Sequence, residues 1–423
     1  MSSSSNLAPG RIRIRMYRVG FGDCFLVSLP VGEKHRHVLV DCGVHAQANI
    51  GTIEQVIADI AGETDGRIAI VVASHRHQDH ISGFAVGEQA FGRVEVDEVW
   101  LPWSEDPGDK YAQTLREKRF ALVAHLRLQL AAAAAPRQED VEHILQNATG
   151  IDSRGVAFAG GNDRAMAVLR SGFDGNPKVR YLKAGDALER PAALAGLSVR
   201  VLGPPHDETY LRQMDPPKPD RYLAARAAAG GGGARTSALR PFQASRVVPK
   251  GRLPRGASRL STQDEKALHK QASSPLNGLA FALDQAINNT SLVLLLSYRG
   301  KTLLFPGDAQ YGNWRFWLDK PDTASLLGEV AFYKVSHHGS VNATPKRAVA
   351  GLPRRGFAAM VSTQSLPWPS IPRGPLMTAL AAASTGLFRS DSIPIQDAPD
   401  GPPVTRMPRG FHRGPFWVDY VME

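Results

Sequence analysis

Three histidines and one aspartate fall within six residues of this chain: His75, His77, Asp79 and His80, in the stretch Ser74-His75-Arg76-His77-Gln78-Asp79-His80. Imidazole nitrogens suit zinc and similar transition metals, and the added carboxylate also tolerates harder ions such as manganese. A loop this short does not let one ion take all four side chains. A natural division gives His75 and His77 to one ion and Asp79 and His80 to a second. Further donor-type residues stand at Asp308, after Pro306-Gly307, and at the pair His337-His338. Two ions held close together lower the pKa of a shared water and clamp a substrate oxygen, which is the chemistry of hydrolysis.

Such side chains need rigid elements to hold them. Ile68 to Ala73 is a short, mostly β-branched apolar run, read as a strand buried on both faces, so the ligands stand where a core strand ends. Asp41 follows the apolar Val38–Val40, Asp308 follows Thr302–Phe305, and His337-His338 follow Val330–Val335. Strand alternation sends consecutive side chains to opposite sides, so one histidine of the pair is expected to bind an ion. His338 is the favoured ligand. His337 is then free to donate a hydrogen bond to substrate or to a developing oxyanion, and Asp79 is the candidate to take a proton from the water. Asp23, in Gly20-Phe21-Gly22-Asp23, reads as a turn residue. Trp103, Tyr311 and Trp314 read equally well as pocket walls and as core aromatics.

The remaining pattern alternates strands with helices. Strands are predicted at Ile12–Tyr17, Cys24–Leu29, His37–Asp41, Val94–Leu101, Val179–Leu182, Leu197–Leu202, Phe357–Val361 and Phe416–Val421, with a hairpin turning at Arg299-Gly300 and a charged turn over Glu33–Arg36. Thr52 is placed to cap a helix carrying Ile53, Val56, Ile57 and Ile60. Phe120, Val123, Leu126 and Leu130 define a long helix stopped by Pro136, followed by a second around Val141–Leu145. Gly278–Ile287 precedes the hairpin, Met377–Ala382 is also read as helical, and the Gly-rich 150–175 gives no reading. His125, His143 and His206 are read as structural, solvated or turn residues.

The chain has 423 residues, 43% of them hydrophobic, ample for a large core. No run reaches the roughly 18 apolar residues that span a bilayer, so no membrane insertion is expected. The start, Met-Ser-Ser-Ser-Ser-Asn, has no basic or apolar leader pattern, and the two cysteines, Cys24 and Cys42, lie on apolar strands. Buried free thiols and a cytoplasmic location are therefore expected. A formal charge of +10 fits an anionic substrate, nucleic acid included, as well as it fits a general bias to Arg and Ala.

The spacing His75-x-His77-x-Asp79-His80 resembles the HxHxDH motif of the metallo-β-lactamase superfamily. Within it, the chain is most similar to the soluble metallo-hydrolase domain of competence DNA-uptake proteins of the ComEC type. Gly20–Asp23 leading to Val40–Gly43, Asn288–Ser291 leading to Pro306–Asp308, and Lys334–Ser340 carry that likeness. The resemblance implies an α/β fold, the αββα sandwich of two mixed β-sheets with helices on both outer faces. It makes residues 1–423 one hydrolase domain, with a helical insertion over about 104–175 and a flexible basic one over about 213–262. It implies two divalent ions, Zn or Mn, held by His75, His77, Asp79, His80, Asp308 and His338. Asp308 would bridge the ions, and Asp41 would orient a ligand from behind. One departure stands out: a histidine common in the superfamily is replaced near Ile287-Asn288-Asn289-Thr290-Ser291. An amide oxygen there would favour Mn²⁺ or Mg²⁺. The expected activity is metal-dependent hydrolysis of phosphodiesters, as a nuclease or phosphodiesterase. The alternatives are a lactone, ester or thioester hydrolase and a catalytically weak nucleic-acid-binding relative.

Residues 213–262 carry ten Lys or Arg against Asp215 and Asp220. The segment reads first as a solvated linker, and alternatively as an arm that gathers polyanions by counterion release. Replacing it with a short Gly-Ser linker is expected to leave turnover of a small phosphodiester unchanged, raise KM for single-stranded DNA and flatten its salt dependence. Loss of both substrates together would instead make the segment part of the fold.

Overall fold

The computed structural model describes residues 10–48, 51–132, 139–152, 155–158, 160–222, 276–364, 366–391 and 407–422. The basic segment read over 213–262 lies outside the described residues from position 223 onward, as does Pro136.

Fifteen strands are described. In the first half they are β1 (Ile12–Tyr17), β2 (Cys24–Val31), β3 (Lys34–Cys42), β4 (Arg67–Val72), β5 (Glu95–Pro102), β6 (Lys178–Leu182), β7 (Ala187–Glu189) and β8 (Leu197–Gly203). In the second half they are β9 (Val293–Tyr298), β10 (Lys301–Phe305), β11 (Val330–Lys334), β12 (Ala358–Val361), β13 (Gly386–Arg389), β14 (Phe411–Arg413) and β15 (Trp417–Met422). They form two sheets, in the orders β14-β15-β1-β2-β3-β4-β5-β6 and β13-β12-β11-β10-β9-β8-β7. Both sheets are mixed. β3 through β6 run parallel, as do β10 through β13, while β1 to β3 and β8 to β10 pair antiparallel.

The period-2 pattern explains the layering. Val38, Val40, Ile70 and Val72 from one sheet meet Leu294, Leu296, Leu303, Phe305, Phe332 and Met360 from the other in a dry central layer. Their neighbours Leu39, Ile68 and Val71 face outward onto helices α1 (Ile53–Thr64) and α2 (Gln78–Val86). Val293, Leu295, Leu304 and Ala359 do the same on the second sheet. Strands with two buried faces read as continuous apolar runs, and each fully buried Val, Leu or Ile contributes about 1.5–3 kcal/mol. The result is the expected αββα sandwich.

Helices α3 (Lys110–Ala132) and α4 (Glu139–Thr149) form a satellite core with α6 (Leu276–Asn288) through Leu126, Leu145 and Leu283. Between them in sequence, α5 (Gly161–Ser171) packs Met166 and Leu169 onto the first sheet. Residues 150–175 thus hold a helix that their glycines concealed. α7 (Tyr311–Leu318) and α8 (Gly374–Ala383) cover the second sheet. Thr52 caps α1 as expected, accepting from the Gln55 amide at 3.3 Å. Two local readings are corrected. Lys34 to Arg36 belong to β3, not to a turn, because the reversal needs only Gly32-Glu33. Phe120 is 60% exposed and does not face the helical core. Cys24 and Cys42 are buried free thiols, opposite each other on β2 and β3.

Gly43 sets how closely β3 approaches the ligand loop. A Cβ there would lie 2.3 Å from the His80 amide nitrogen and 2.4 Å from the Asp79 carbonyl carbon. Neither backbone atom can yield without moving α2, so Gly43→Ala is expected to cost about 1–3 kcal/mol and to weaken metal uptake. Thermal unfolding and metal content of the variant test this. An unchanged Tm with full metal would show that the loop has slack.

Candidate metal centre

The ligand-type residues sit where parallel strands of both sheets end. Asp41 lies at the end of β3, His75 to His80 follow β4, Asp308 follows β10, and His337-His338 follow β11. Two contacts bring the sheets together there. The Leu292 amide donates to the Ser74 carbonyl at 2.8 Å, and Gly307 passes so close to Ser74 that a Cβ would lie 2.8 Å from the serine Cβ.

Three groups of donor atoms result, each within 4.8 Å: Asp79, His80, Asp308 and His338; His75, His77 and Asp79; and Asp23, Asp41 and His80. The His338 Nε2 lies 3.1 Å from Asp79 Oδ2 and 3.2 Å from Asp308 Oδ2, and the His80 Nε2 lies 3.1 Å from Asp308 Oδ2. The four stretches named from the sequence therefore converge. His337 lies outside these groups. Its ring nitrogens meet Ser340 Oγ at 2.9 Å and Asn288 Nδ2 at 3.3 Å. The strand-alternation argument for separating the pair is corrected: β11 ends at Lys334, and both histidines lie in a turn with positive φ, 46° and 51°.

Hydrogen bonds aim the imidazoles. His80 Nδ1 is 2.8 Å from Asp41 Oδ2, and His338 Nδ1 is 2.8 Å from the Ser362 carbonyl. With each Nδ1 donating outward, each Nε2 is the nitrogen turned to the centre, available as a ligand once its proton is displaced. Asp41 also accepts from the Ser74 amide at 2.6 Å and the Ser74 hydroxyl at 2.7 Å. The Asp79 amide donates to Asn147 Oδ1 on α4 at 3.1 Å, and Asn162 Nδ2 on α5 donates to the Arg76 carbonyl at 2.9 Å.

Asp23 is not a mere turn residue. It is fully buried, its carboxylate pairs with Lys334 Nζ, and it lies 3.6 Å from His80 Nδ1. Lys334 also contacts Asp308 Oδ1 at 3.3 Å. A lysine inside the apolar strand Val330–Val335 was the signal for this, since lysine is almost never buried without a partner. Asp284 on α6 is a second addition. It accepts from Asn288 Nδ2 at 2.9 Å and Gln310 Nε2 at 3.4 Å, and burial, then Asp308 and Asp79, push its pKa up to about 7.

His206 hydrogen-bonds Asp109 Oδ2 at 2.9 Å beside Trp103, and belongs to none of the donor groups. Trp314 is core, packed with Trp317 and Tyr333, and its indole donates to the Ala309 carbonyl. The wall beside His338 is built instead by Phe21, with ring centroids 4.1 Å apart, backed by His45 and Trp368.

The electrostatics fit a divalent cation. Asp23, Asp41, Asp79 and Asp308 are all buried together, with Lys334 the one lysine among them. The His77 Nε2, His80 Nε2 and Asp79 Oδ1 atoms are buried without a hydrogen-bond partner among the described residues. Burial, then His80 and its neighbours, holds His75 neutral, and burial lowers His77 to about 3. At His338 burial opposes the charge, but Asp308, Asp79 and Asp23 outweigh it and raise the pKa to about 10. His80 is likewise raised, chiefly by Asp308, Asp41 and Asp79 against the cost of burial. Protons on these two rings do without metal what a cation would do better.

Comparison with known proteins agrees with this geometry. Residues 17–154, which include the His75–His80 stretch, match the family model described as Metallo-beta-lactamase superfamily, so this part of the chain carries a domain of that superfamily. Among solved structures, the chain is similar to the metallo-beta-lactamase fold protein YhfI from Bacillus subtilis, at 8% identity and TM-score 0.34 over 89% of this chain and 95% of that one. It is also similar to a beta-lactamase domain protein from Burkholderia ambifaria, at 17% identity and TM-score 0.22 over 47% of this chain and 52% of that one. No curated protein matches the chain. Among the described residues no helix is long and apolar enough to cross a membrane.

The raised His338 pKa fixes a sign. Protonated His338 stabilises the metal-free fold fully below its ordinary pKa of 6.5, and the contribution is lost as pH rises through about 10. Chelator-treated protein should therefore lose Tm across that window, and His338→Gln should lose less. Parallel curves for the two proteins would show that the folded state does not hold this proton.

Proposed function

We propose that the chain is a binuclear metal-dependent hydrolase acting on phosphodiesters. The observation that carries the reading is Asp308, whose Oδ2 lies 3.1 Å from His80 Nε2 and 3.2 Å from His338 Nε2 at the meeting point of the two sheets. Asp79, His80, Asp308 and His338 would hold one ion. His75 and His77 would hold the other, with Asp308 reaching both. Asn288 would complete the second set through its Oδ1, which is buried without a hydrogen-bond partner among the described residues, while its Nδ2 faces Asp284 and His337. That oxygen favours Mn²⁺ where a histidine would favour zinc.

Bound divalent ions supply a low-pKa water as nucleophile and stabilise charge on the phosphoryl oxygens. The chain's own groups do the rest. Asp41 and the Ser362 carbonyl lock His80 and His338 in one tautomer each. Asp79 would accept the proton of the attacking water. Burial keeps His337 neutral, with a pKa lowered to about 4. The Ser340 hydroxyl donates to Asn342 and so accepts from His337 Nδ1, which leaves His337 Nε2 as an acceptor facing Asn288 Nδ2; donation from Nε2 to a developing oxyanion would require the ring to take up a proton first. Lys334 holds the far oxygen of Asp308 and Asp23, fixing the carboxylate between the two sets.

The phosphodiester choice rests on the +10 charge and on the likeness to the soluble domain of competence DNA-uptake proteins in Gly20–Asp23, Asn288–Ser291 and Lys334–Ser340. A lactone or thioester hydrolase would use the same centre. Protein purified without chelator should contain close to two equivalents of metal and cleave a bis-aryl phosphodiester faster than a lactone, with Mn²⁺ and Zn²⁺ compared. Asp308→Ala should lose metal from both sets. Retention of near two equivalents would refute the bridging role, and preferential lactone turnover would refute the substrate class.

A further inference from the structure

Beside the metal centre, four arginines surround one buried carboxylate. Arg76, which stands between His75 and His77, places Nη1 3.5 Å from Glu105 Oε2. Arg119 on α3 places Nη1 3.4 Å from Glu105 Oε1, and Arg170 on α5 places Nη2 3.6 Å from Oε2. Arg116 donates only to main-chain carbonyls, at Ser104 (2.8 Å) and Asp106 (3.1 Å). Among the described residues the one other acid in contact is Asp163, 2.5 Å from Arg76 Nη2 with its side chain 79% exposed.

Four guanidiniums thus face two carboxylates, and the three contacts to Glu105 are longer than the 2.7–2.9 Å of a good charge-assisted bond. Arg76 and Arg119 are only 8% and 7% exposed, yet Arg76 Nε and Arg119 Nη2 have no hydrogen-bond partner among the described residues. Buried charged donors left unpaired are costly. A network built only to brace the fold would satisfy them.

We propose that this cluster is a subsite for a phosphate group, next to the metal centre, with the Asp163 carboxylate standing in for the anion when the subsite is empty. Forked guanidiniums match tetrahedral phosphate oxygens bidentately. The Asp163 side chain is exposed, so its carboxylate can turn out to solvent and a phosphate can take its place on Arg76. Because Arg76 stands between His75 and His77 in sequence, a phosphate held there lies against the ligand loop. The substrate class that follows, a phosphodiester carrying a second phosphate beside the cleaved one, rests on the phosphodiesterase reading.

Two surface variants test the subsite with opposite signs. Asp163→Asn removes the competing carboxylate, and Arg170→Gln removes an exposed positive arm. Neither belongs to the proposed catalytic machinery. For a 5′-phosphorylated dinucleotide, Asp163→Asn should lower KM and Arg170→Gln raise it, each by about fivefold. Both should leave kcat and KM for a bis-aryl phosphodiester, which has one phosphorus, unchanged. Binding is read separately by the thermal shift of chelator-treated protein with inorganic pyrophosphate. The shift should be present in the parent protein, larger in Asp163→Asn and lost in Arg170→Gln. If no phosphodiester is cleaved but these shifts appear, the subsite stands and the hydrolase reading falls. If pyrophosphate shifts all three proteins equally, or none, the subsite is refuted whatever the enzyme cleaves.

Discussion

The Asp41 carboxylate is the constraint on which the centre depends. It accepts from the Ser74 amide, the Ser74 hydroxyl and His80 Nδ1, all at 2.6–2.8 Å. Those bonds tie the end of β3 to the end of β4 and turn the His80 ring in one operation. Asp41 itself has a φ of 57°, a left-handed conformation that aspartate tolerates better than most residues but which still costs energy. The three hydrogen bonds offset that cost, and Gly43 two residues on lets the ligand loop lie directly on the strand. Remove the carboxylate and the His80 lone pair has no defined direction.

A second constraint is charge. Four aspartates crowded into a buried volume repel one another, and cations interleaved among them offset that repulsion. Lys334 is permanent, since Asp23 and Asp308 raise its pKa against the penalty of burial. The protons on His80 and His338 are exchangeable. A metal ion that arrives displaces those protons, so uptake is coupled to pH by the same carboxylates that bind it. Lys334 takes no part in that exchange and keeps Asp23 and Asp308 in place before and after it.

The sequence revealed the elements whose cause is local. Val38–Val40, Ile68–Ala73 and Val330–Val335 are apolar because both faces are buried, and the His75–His80 spacing is compact enough to read directly. The convergence of Asp41, Asp308 and His338 on it was legible through resemblance. What stayed hidden has long-range causes. Asp23 looks like a turn residue until Lys334, 311 positions later, is brought against it. Glu105 looks like a surface acid after Trp103-Ser104, until Arg76, Arg119 and Arg170 arrive from three other elements. Helix α5 escaped because glycines at 150, 155, 160, 161, 172 and 175 mark its flanks, while its buried face is set by the first sheet. The His337-His338 turn escaped because period-2 reasoning was carried three and four residues beyond the end of β11.

The ligand loop has two sides, and different physics governs each. On the inner side, His75, His77, Asp79 and His80 face a surplus of negative charge that calls for cations. On the outer side, Arg76 faces Arg119 and Arg170, a surplus of positive charge that calls for an anion. Alternation over His75, Arg76 and His77 produces this division, while Asp79 and His80 join the inner side from the first turn of α2. The carboxylates of α4 and α5 do not erase it. Instead Asn147 and Asn162, neutral amides, carry the hydrogen bonds that pin the loop from those helices. Neutral pins hold the backbone without compensating either field. A substrate with a phosphate at each side would be drawn by both, and the helices α3 and α5, which bear Arg119 and Arg170, are then part of how the chain selects what it cleaves.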